Sequence, residues 1–198
     1  MTIQSQVAIN RIKHQHLELL DVIGQGGFGA VFRGKWKARK GEVVAVKKCL
    51  LAGTKQDPNI PREVLILSSL PEHPHIITFY GISINYPDLF IVTEFAEKGS
   101  LFNYLHKEKQ VPTVDQSLAW ALEVAQGMEH LHNHDIIHRD LKSANVLLSA
   151  SMAAKLCDFG TVRYVLHTTV QTKESGTHCW MAPEVMEAVE SKISKKCD

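Results

Sequence analysis

Within the stretch "IIHRDLKSANVLL", Ile136 to Leu148, the residues His138, Arg139, Asp140, Lys142 and Asn145 fall within eight positions and are fenced on both sides by branched aliphatics. A solvated charge run needs no apolar walls, and a buried strand does not tolerate four ionisable groups without partners. Such residues are expected where charges must converge on one reacting centre. Asp158 opens "DFG" after the short hairpin "VLLSASMAAKLC", so Asp140, Asn145 and Asp158 can bring three oxygen-bearing side chains to one wall. Hard divalent cations such as magnesium take oxygen ligands of this kind together with nucleotide phosphates.

A second group of residues could handle those phosphates. "GQGGFGAV" places Gly24, Gly26 and Gly29 at GxGxxG spacing with Gly27 and Phe28 between them. A tight turn there lets backbone amides approach phosphate oxygens without side chains intervening. A dinucleotide-binding fingerprint would need a helix directly after the glycines, whereas "AVFRGKWK" continues as a strand. "GAVFRGKW" has Walker A spacing, but Trp36 stands where Ser or Thr should hold magnesium. Lys47 in "VVAVKK" lies on a strand a short meander later, where its ammonium can reach phosphates beneath the glycine turn. Glu63 on the following helix is a candidate partner that would hold that ammonium in place.

The elements that must position these groups are legible from periodicity. "LELLDVIG", "GAVFRGKWK" and "EVVAVKKC" alternate as an antiparallel meander, and "REVLILSSL" after Pro61 reads as a helix ended by Pro71 and Pro74. "HIITFYGIS" and "LFIVTEF" read as two more strands. After Gly99 the pattern turns helical. Ser100 is a cap for "LFNYLHKE", and Leu118, Leu122, Ala125, Met128 and His132 share one face of the next helix. A β-rich part therefore precedes a mainly helical part, with a hinge near Gly99 and a ligand site expected in a cleft between them. At 198 residues and 44% hydrophobic content the chain can bury a core. Its formal net charge of +1 gives no whole-chain reason to expect nucleic acid or a charged membrane surface as partner. No apolar run is long enough to cross a bilayer, and the N-terminus lacks the apolar core of a signal peptide, so a cytoplasmic location is expected. Cys49, Cys157, Cys179 and Cys197 form no CxxC pair and read as reduced thiols.

Taken in order, Gly24-x-Gly26-x-x-Gly29-x-Val31, Val44-Ala45-Val46-Lys47, His138-Arg139-Asp140 with Asn145, Asp158-Phe159-Gly160 and Ala182-Pro183-Glu184 resemble the protein-kinase signature set over nearly the whole chain. The resemblance implies an α+β, bilobal kinase fold: an N-terminal extension over 1–15, an N-lobe with hinge over 16–96, and a partial C-lobe over 97–198. It implies ATP and Mg2+ as cofactors, with Asp140 orienting the substrate hydroxyl and accepting its proton. Lys142 would offset charge on the transferring phosphoryl group, and Asn145 and Asp158 would hold magnesium. It also implies that Thr93 backs the adenine pocket, that backbone groups of Glu94 and Ala96 bond adenine, and that Val31, Ala45 and Leu147 stack around it. Leu67, Phe79, His138 and Phe159 would form an apolar column.

Lys142 two residues after Asp140, with "GTHCWMAPE", resembles serine/threonine kinases of the tyrosine-kinase-like group, and "VAVKKCL", "IITFYGI" and "KLCDFG" resemble its mixed-lineage, MAP kinase kinase kinase members. MAP kinase kinases would then be the protein substrates. A dimer or regulatory partner would act through regions outside this chain. Thr168, Thr169, Thr172 and Ser175 are candidate phosphate acceptors, with Arg139 as receptor. His130, His134 and His138 mimic stacked metal ligands, but no Cys or carboxylate completes the set at helical spacing. A scaffolding protein of the same fold is the rival reading, set against by the filled catalytic positions. A small-molecule phosphotransferase is set against by the Ala182-Pro183-Glu184 region. Asp198 opens a central helix in that family, so a chain ending there is expected to be a fragment with part of its helical core exposed.

Overall fold

The computed structural model describes residues 9–26, 29–53, 58–160, 163–164, 180–183 and 194–198. Two compact units emerge: Met1–Pro71 with Thr78–Phe95, and Glu72–Ile77 with Ala96–Asp198. The protein is α+β, with a sheet-rich first unit and a second unit built around a long helix.

In the first unit, β1 (Leu17–Gly26), β2 (Gly29–Trp36) and β3 (Glu42–Leu50) form the expected meander. A small ribbon, β4 (Ala52–Gly53) with β5 (Pro58–Asn59), leads to helix α1 (Arg62–Ser69). β6 (Phe79–Asn85) and β7 (Asp88–Glu94) complete a five-stranded antiparallel sheet in the order β1-β2-β3-β7-β6. The alternation of strand residues puts Val44, Val46, Phe90 and Val92 on one face, where they pack with Ile12 and Leu17. Each such side chain contributes about 2 kcal/mol of apolar burial. Ile12 lies before the stretch read as the N-lobe, yet it belongs to this core. The segment holding it runs alongside β6: the Ile12 N–H donates to the Ile82 carbonyl (2.7 Å) and the Ile82 N–H to the Asn10 carbonyl (2.9 Å).

The second unit is organised by α2 (Val114–Asn133), whose N-cap Thr113 accepts from the Gln116 N–H at 3.2 Å. Before it, Ser100 Oγ accepts from the Asn103 N–H at the start of a short helical segment that continues as a π-helical turn, Asn103–Lys107. β8 (Ile136–Ile137), β9 (Val146–Leu148), β10 (Ala154–Leu156) and β11 (Arg163–Tyr164) are short ribbons, β10 on β9 and β11 on β8. Among the described residues no helix is long and apolar enough to cross a membrane.

Two expectations change. Residues 75–77, read as the start of a strand, instead belong to a loop grouped with the second unit, because their backbone pairs with β10. On α2, the buried residues are Trp120, Gly127, Met128 and Leu131, while Leu118 and Leu122 remain 64% and 61% exposed and Ala125 is exposed. The contacts responsible come from outside the helix. Trp120 Nε1 donates to the Met152 carbonyl at 2.7 Å, and Gly127 lies against His75 and Leu156.

Candidate active site

On the first unit, β1 and β2 carry the glycine turn. Gly24 pairs with Val31 and Gly26 with Gly29 across the hairpin. Gly29 has φ 116°, and any Cβ there would collide with the Lys48 carbonyl of β3, so two features of the backbone require glycine at this position. Gly27 and Phe28 lie outside the described residues. Lys47 sits in the middle of β3, opposite Val31 on β2 and Ile91 on β7. Its ammonium donates to both Glu63 oxygens at 2.9 Å, and the two side chains are only 16% and 12% exposed. A bidentate pair at that burial holds the charge at one point rather than letting a four-carbon stem swing. Ala45 pairs with Thr93. Thr93 Oγ1 donates to the Glu94 carbonyl at 3.2 Å, the Glu94 N–H donates to the Thr78 carbonyl, and Glu94 Oε1 accepts from the Thr78 N–H at 2.6 Å.

On the second unit, the loop between β8 and β9 forms a closed hydrogen-bonded set. Lys142 Nζ lies 2.7 Å from Asp140 Oδ2. Asn145 Nδ2 donates to that same oxygen at 3.0 Å and to the Asp140 carbonyl at 2.8 Å. Asp140 and Asn145 are 7% and 5% exposed. Because the amide nitrogen of Asn145 is committed to Asp140, its oxygen is the end available to a cation. The Cys157 N–H donates to the Asn145 carbonyl at 3.0 Å, tying the loop to the residue before Asp158. Asp158 takes φ 62° and Arg139 φ 69°, left-handed conformations that non-glycine residues adopt only when the surroundings impose them.

His138 is fully buried and its ring faces Phe159, with centroids 5.7 Å apart. Its Nε2 bonds the Cys157 carbonyl at 3.1 Å and its Nδ1 accepts from the Asp140 N–H at 3.4 Å, an arrangement that needs the neutral ring. Burial holds its proton affinity below the ordinary histidine value, against the opposing pull of the Cys157 carbonyl and the carboxylates of Asp198, Asp158 and Asp140.

Asp198 and His132 have a role here that sequence reasoning missed. The Asp198 carboxylate, its side chain 1% exposed, accepts from the backbone N–H groups of His138 (2.7 Å) and Arg139 (2.6 Å) and meets His132 Nε2 at 3.0 Å. It therefore grips the loop between β8 and β9 from a position about sixty residues away in sequence, and the "KKCD" text carries no local sign of it. Leu147 lies on β9 opposite Lys155, and Ala96 is buried beside Gly99, whose N–H donates to the Ala96 carbonyl. Glu184 and the acceptor candidates Thr168, Thr169, Thr172 and Ser175 lie outside the described residues.

A family model described as "protein tyrosine and serine/threonine kinase" matches residues 17–198. Among individual proteins, the chain is 38% identical over 189 residues to mitogen-activated protein kinase kinase kinase zak-1 of Caenorhabditis elegans, covering 88% of this chain and 24% of that protein. It is 37% identical over 178 residues to serine/threonine-protein kinase STY17 of Arabidopsis thaliana, covering 89% and 30%. The human mitogen-activated protein kinase kinase kinase 7 is 37% identical over 197 residues, covering 94% and 30%. The chain thus spans about a quarter to a third of the length of these relatives.

Proposed function

This chain belongs to the protein tyrosine and serine/threonine kinase family, and from that membership we propose that it transfers the γ-phosphoryl group of ATP to serine or threonine hydroxyls of a protein substrate. The observation that carries the reading is the Asp140–Lys142–Asn145 set: a buried carboxylate and a cation held 2.7 Å apart, braced by an amide whose oxygen is left for a metal. Asp140 receives the proton of the incoming hydroxyl, and Lys142 beside it offsets negative charge gathering on the transferred group. In a loose phosphoryl-transfer transition state, position and electrostatics of this kind supply most of the rate. Lys47, fixed by Glu63, holds the phosphates of the nucleotide, and the glycine turn lets backbone amides approach them.

The residues present fit magnesium. Among the described residues no group of three or more His, Cys, Asp or Glu side chains could hold a metal ion unaided. Magnesium is commonly bound by one or two protein oxygens and completed by phosphates and water, which suits Asn145 and Asp158. When bound, the ion neutralises phosphate charge and orients the triphosphate for in-line transfer.

Two of the relatives are named as MAP kinase kinase kinases. On that likeness the protein substrates of this chain are MAP kinase kinases, and its place is a cytoplasmic MAP kinase cascade. Lys142 supports the choice of serine and threonine over tyrosine. The test is transfer of labelled γ-phosphate from magnesium ATP to a MAP kinase kinase and to a generic Ser/Thr substrate. Asp140→Asn should lower kcat by about 100-fold or more while changing the KM for ATP by less than about threefold. A variant that keeps wild-type kcat would remove Asp140 from the chemistry and the proposal with it.

A further inference from the structure

Four histidines gather on the second unit, none of them among the residues just assigned. His73 and His75 lie in the 71–77 loop, His130 on the last turn of α2 and His134 at its C-cap. The His73 ring stacks on His130 with centroids 4.7 Å apart and planes 25° from parallel. His130 meets His134 at 4.5 Å, and His73 meets His75 edge-on at 5.6 Å.

The hydrogen bonds set the protonation state that this packing accepts. His73 Nδ1 accepts from the His75 N–H at 3.3 Å, so it carries no proton in this geometry. His75 Nδ1 bonds the Ala154 carbonyl at 3.1 Å, and His134 Nδ1 bonds the His130 carbonyl at 2.8 Å. A proton arriving at His73 Nδ1 would remove an acceptor and place a cation against a second imidazole. The groups facing His73 reinforce this. Burial and the charges of His130, His75 and Lys155 lower its proton affinity, and only Glu129 raises it. A histidine whose folded affinity is lowered contributes stability that is present above its ordinary titration range and is lost as pH falls through its folded one.

The same loop is joined to the strand that leads to Asp158. The His75 carbonyl accepts from the Leu156 N–H and the Ile77 N–H donates to the Leu156 carbonyl, both at 2.9 Å. Ile76 and Ile77 are buried, and Gly127 on α2 lies directly under the His75 carbonyl. We propose that the four histidines form an acid-sensitive clasp: at neutral pH it keeps residues 72–77 stacked on α2 and paired to β10, and in mild acid it opens and loosens the backbone that ends in Asp158. The proton donor is the solvent, and no other group need change.

Amide hydrogen exchange on the chain at about pH 7.5 and about pH 5.5, corrected for the intrinsic pH dependence of exchange, reads the clasp directly. The amides of Ile77, Leu156 and Cys157 should lose protection by roughly tenfold or more in acid, the factor expected for one lost buried hydrogen bond, while those of β3 and β7 keep theirs. Protection at these three amides that does not change with pH would overturn the proposal. His73→Asn keeps an oxygen acceptor for the His75 N–H and takes up no proton, so it should abolish the acid loss. An acid loss undiminished in a folded His73→Asn chain would equally overturn it. Should that variant fail to fold, the wild-type measurement decides alone. No nucleotide enters either measurement, so the result stands apart from the phosphoryl-transfer reading.

Discussion

Gly127→Ala sets two effects of opposite sign against each other. Gly127 is an interior residue of α2, and replacing glycine by alanine in a helix interior stabilises it by about 1 kcal/mol through propensity alone. The tertiary contact opposes that gain. A Cβ at 127 would lie 2.8 Å from the His75 carbonyl oxygen, 2.9 Å from Leu156 Cδ1 and 3.3 Å from Leu156 Cγ. The Leu156 side chain can shift by rotation, but the His75 carbonyl is held by the Leu156 N–H at 2.9 Å, and the Ile77 N–H holds the other side of the same pairing. Relief therefore requires moving the whole loop, or α2, away from β10. Overpacking of this sort costs about 1–3 kcal/mol. The sum is a net destabilisation of up to about 2 kcal/mol, made of an overpacking cost less the propensity gain. Urea denaturation of wild type and variant, fitted with a shared slope, measures it. Gln126→Ala on the exposed face of the same helix is the control, expected within about 0.5 kcal/mol of wild type. A Gly127→Ala chain more stable than wild type would show that propensity wins and that the loop is free to yield, which refutes the close-packing argument.

Two further outcomes follow from the first unit. Lys47→Met should reduce kcat/KM for ATP by about 100-fold or more, the loss typical of removing one preorganised charge from a reacting phosphate. It should also cost stability of about 1–3 kcal/mol, because Glu63 at 12% exposure loses the cation bonded to both its oxygens; a drop in kcat/KM below tenfold would count against the assigned role. Tyr80 titrates late. Burial, the hydrogen bond its hydroxyl donates to Glu42, and the charges of Glu42 and Glu94 push its pKa up to about 12, with Arg39 opposing. A raised phenol pKa contributes stability that is present below the ordinary value of 10 and is lost as pH rises from there towards 12. The difference in phenolate absorbance between wild type and Tyr80→Phe should therefore appear close to pH 12, and its appearance near pH 10 would contradict the hydrogen bond to Glu42.

The amino-acid sequence by itself determined most of the local elements and marked the polar residues proposed to act on them. Alternation over Leu17–Lys48 specified a meander, the glycines marked the join between its first two strands, and Asp140, Lys142, Asn145 and Asp158 stood out as polar residues between aliphatic runs. These are short-range signals, written in a period of two or in neighbouring residues, so they survive without knowledge of the fold. The tertiary structure alone decided which distant groups meet. It selected the Trp120, Gly127, Met128 and Leu131 face of α2 for burial over the Leu118 and Leu122 stripe, although both are apolar. It drew Ile12 into the core of the sheet and assigned the 72–77 loop to the second unit. It brought the Asp198 carboxylate under the backbone of His138 and Arg139. Hydrogen bonds and packing between residues some sixty positions apart leave no periodicity behind them, because their partners are adjacent in space and not along the chain.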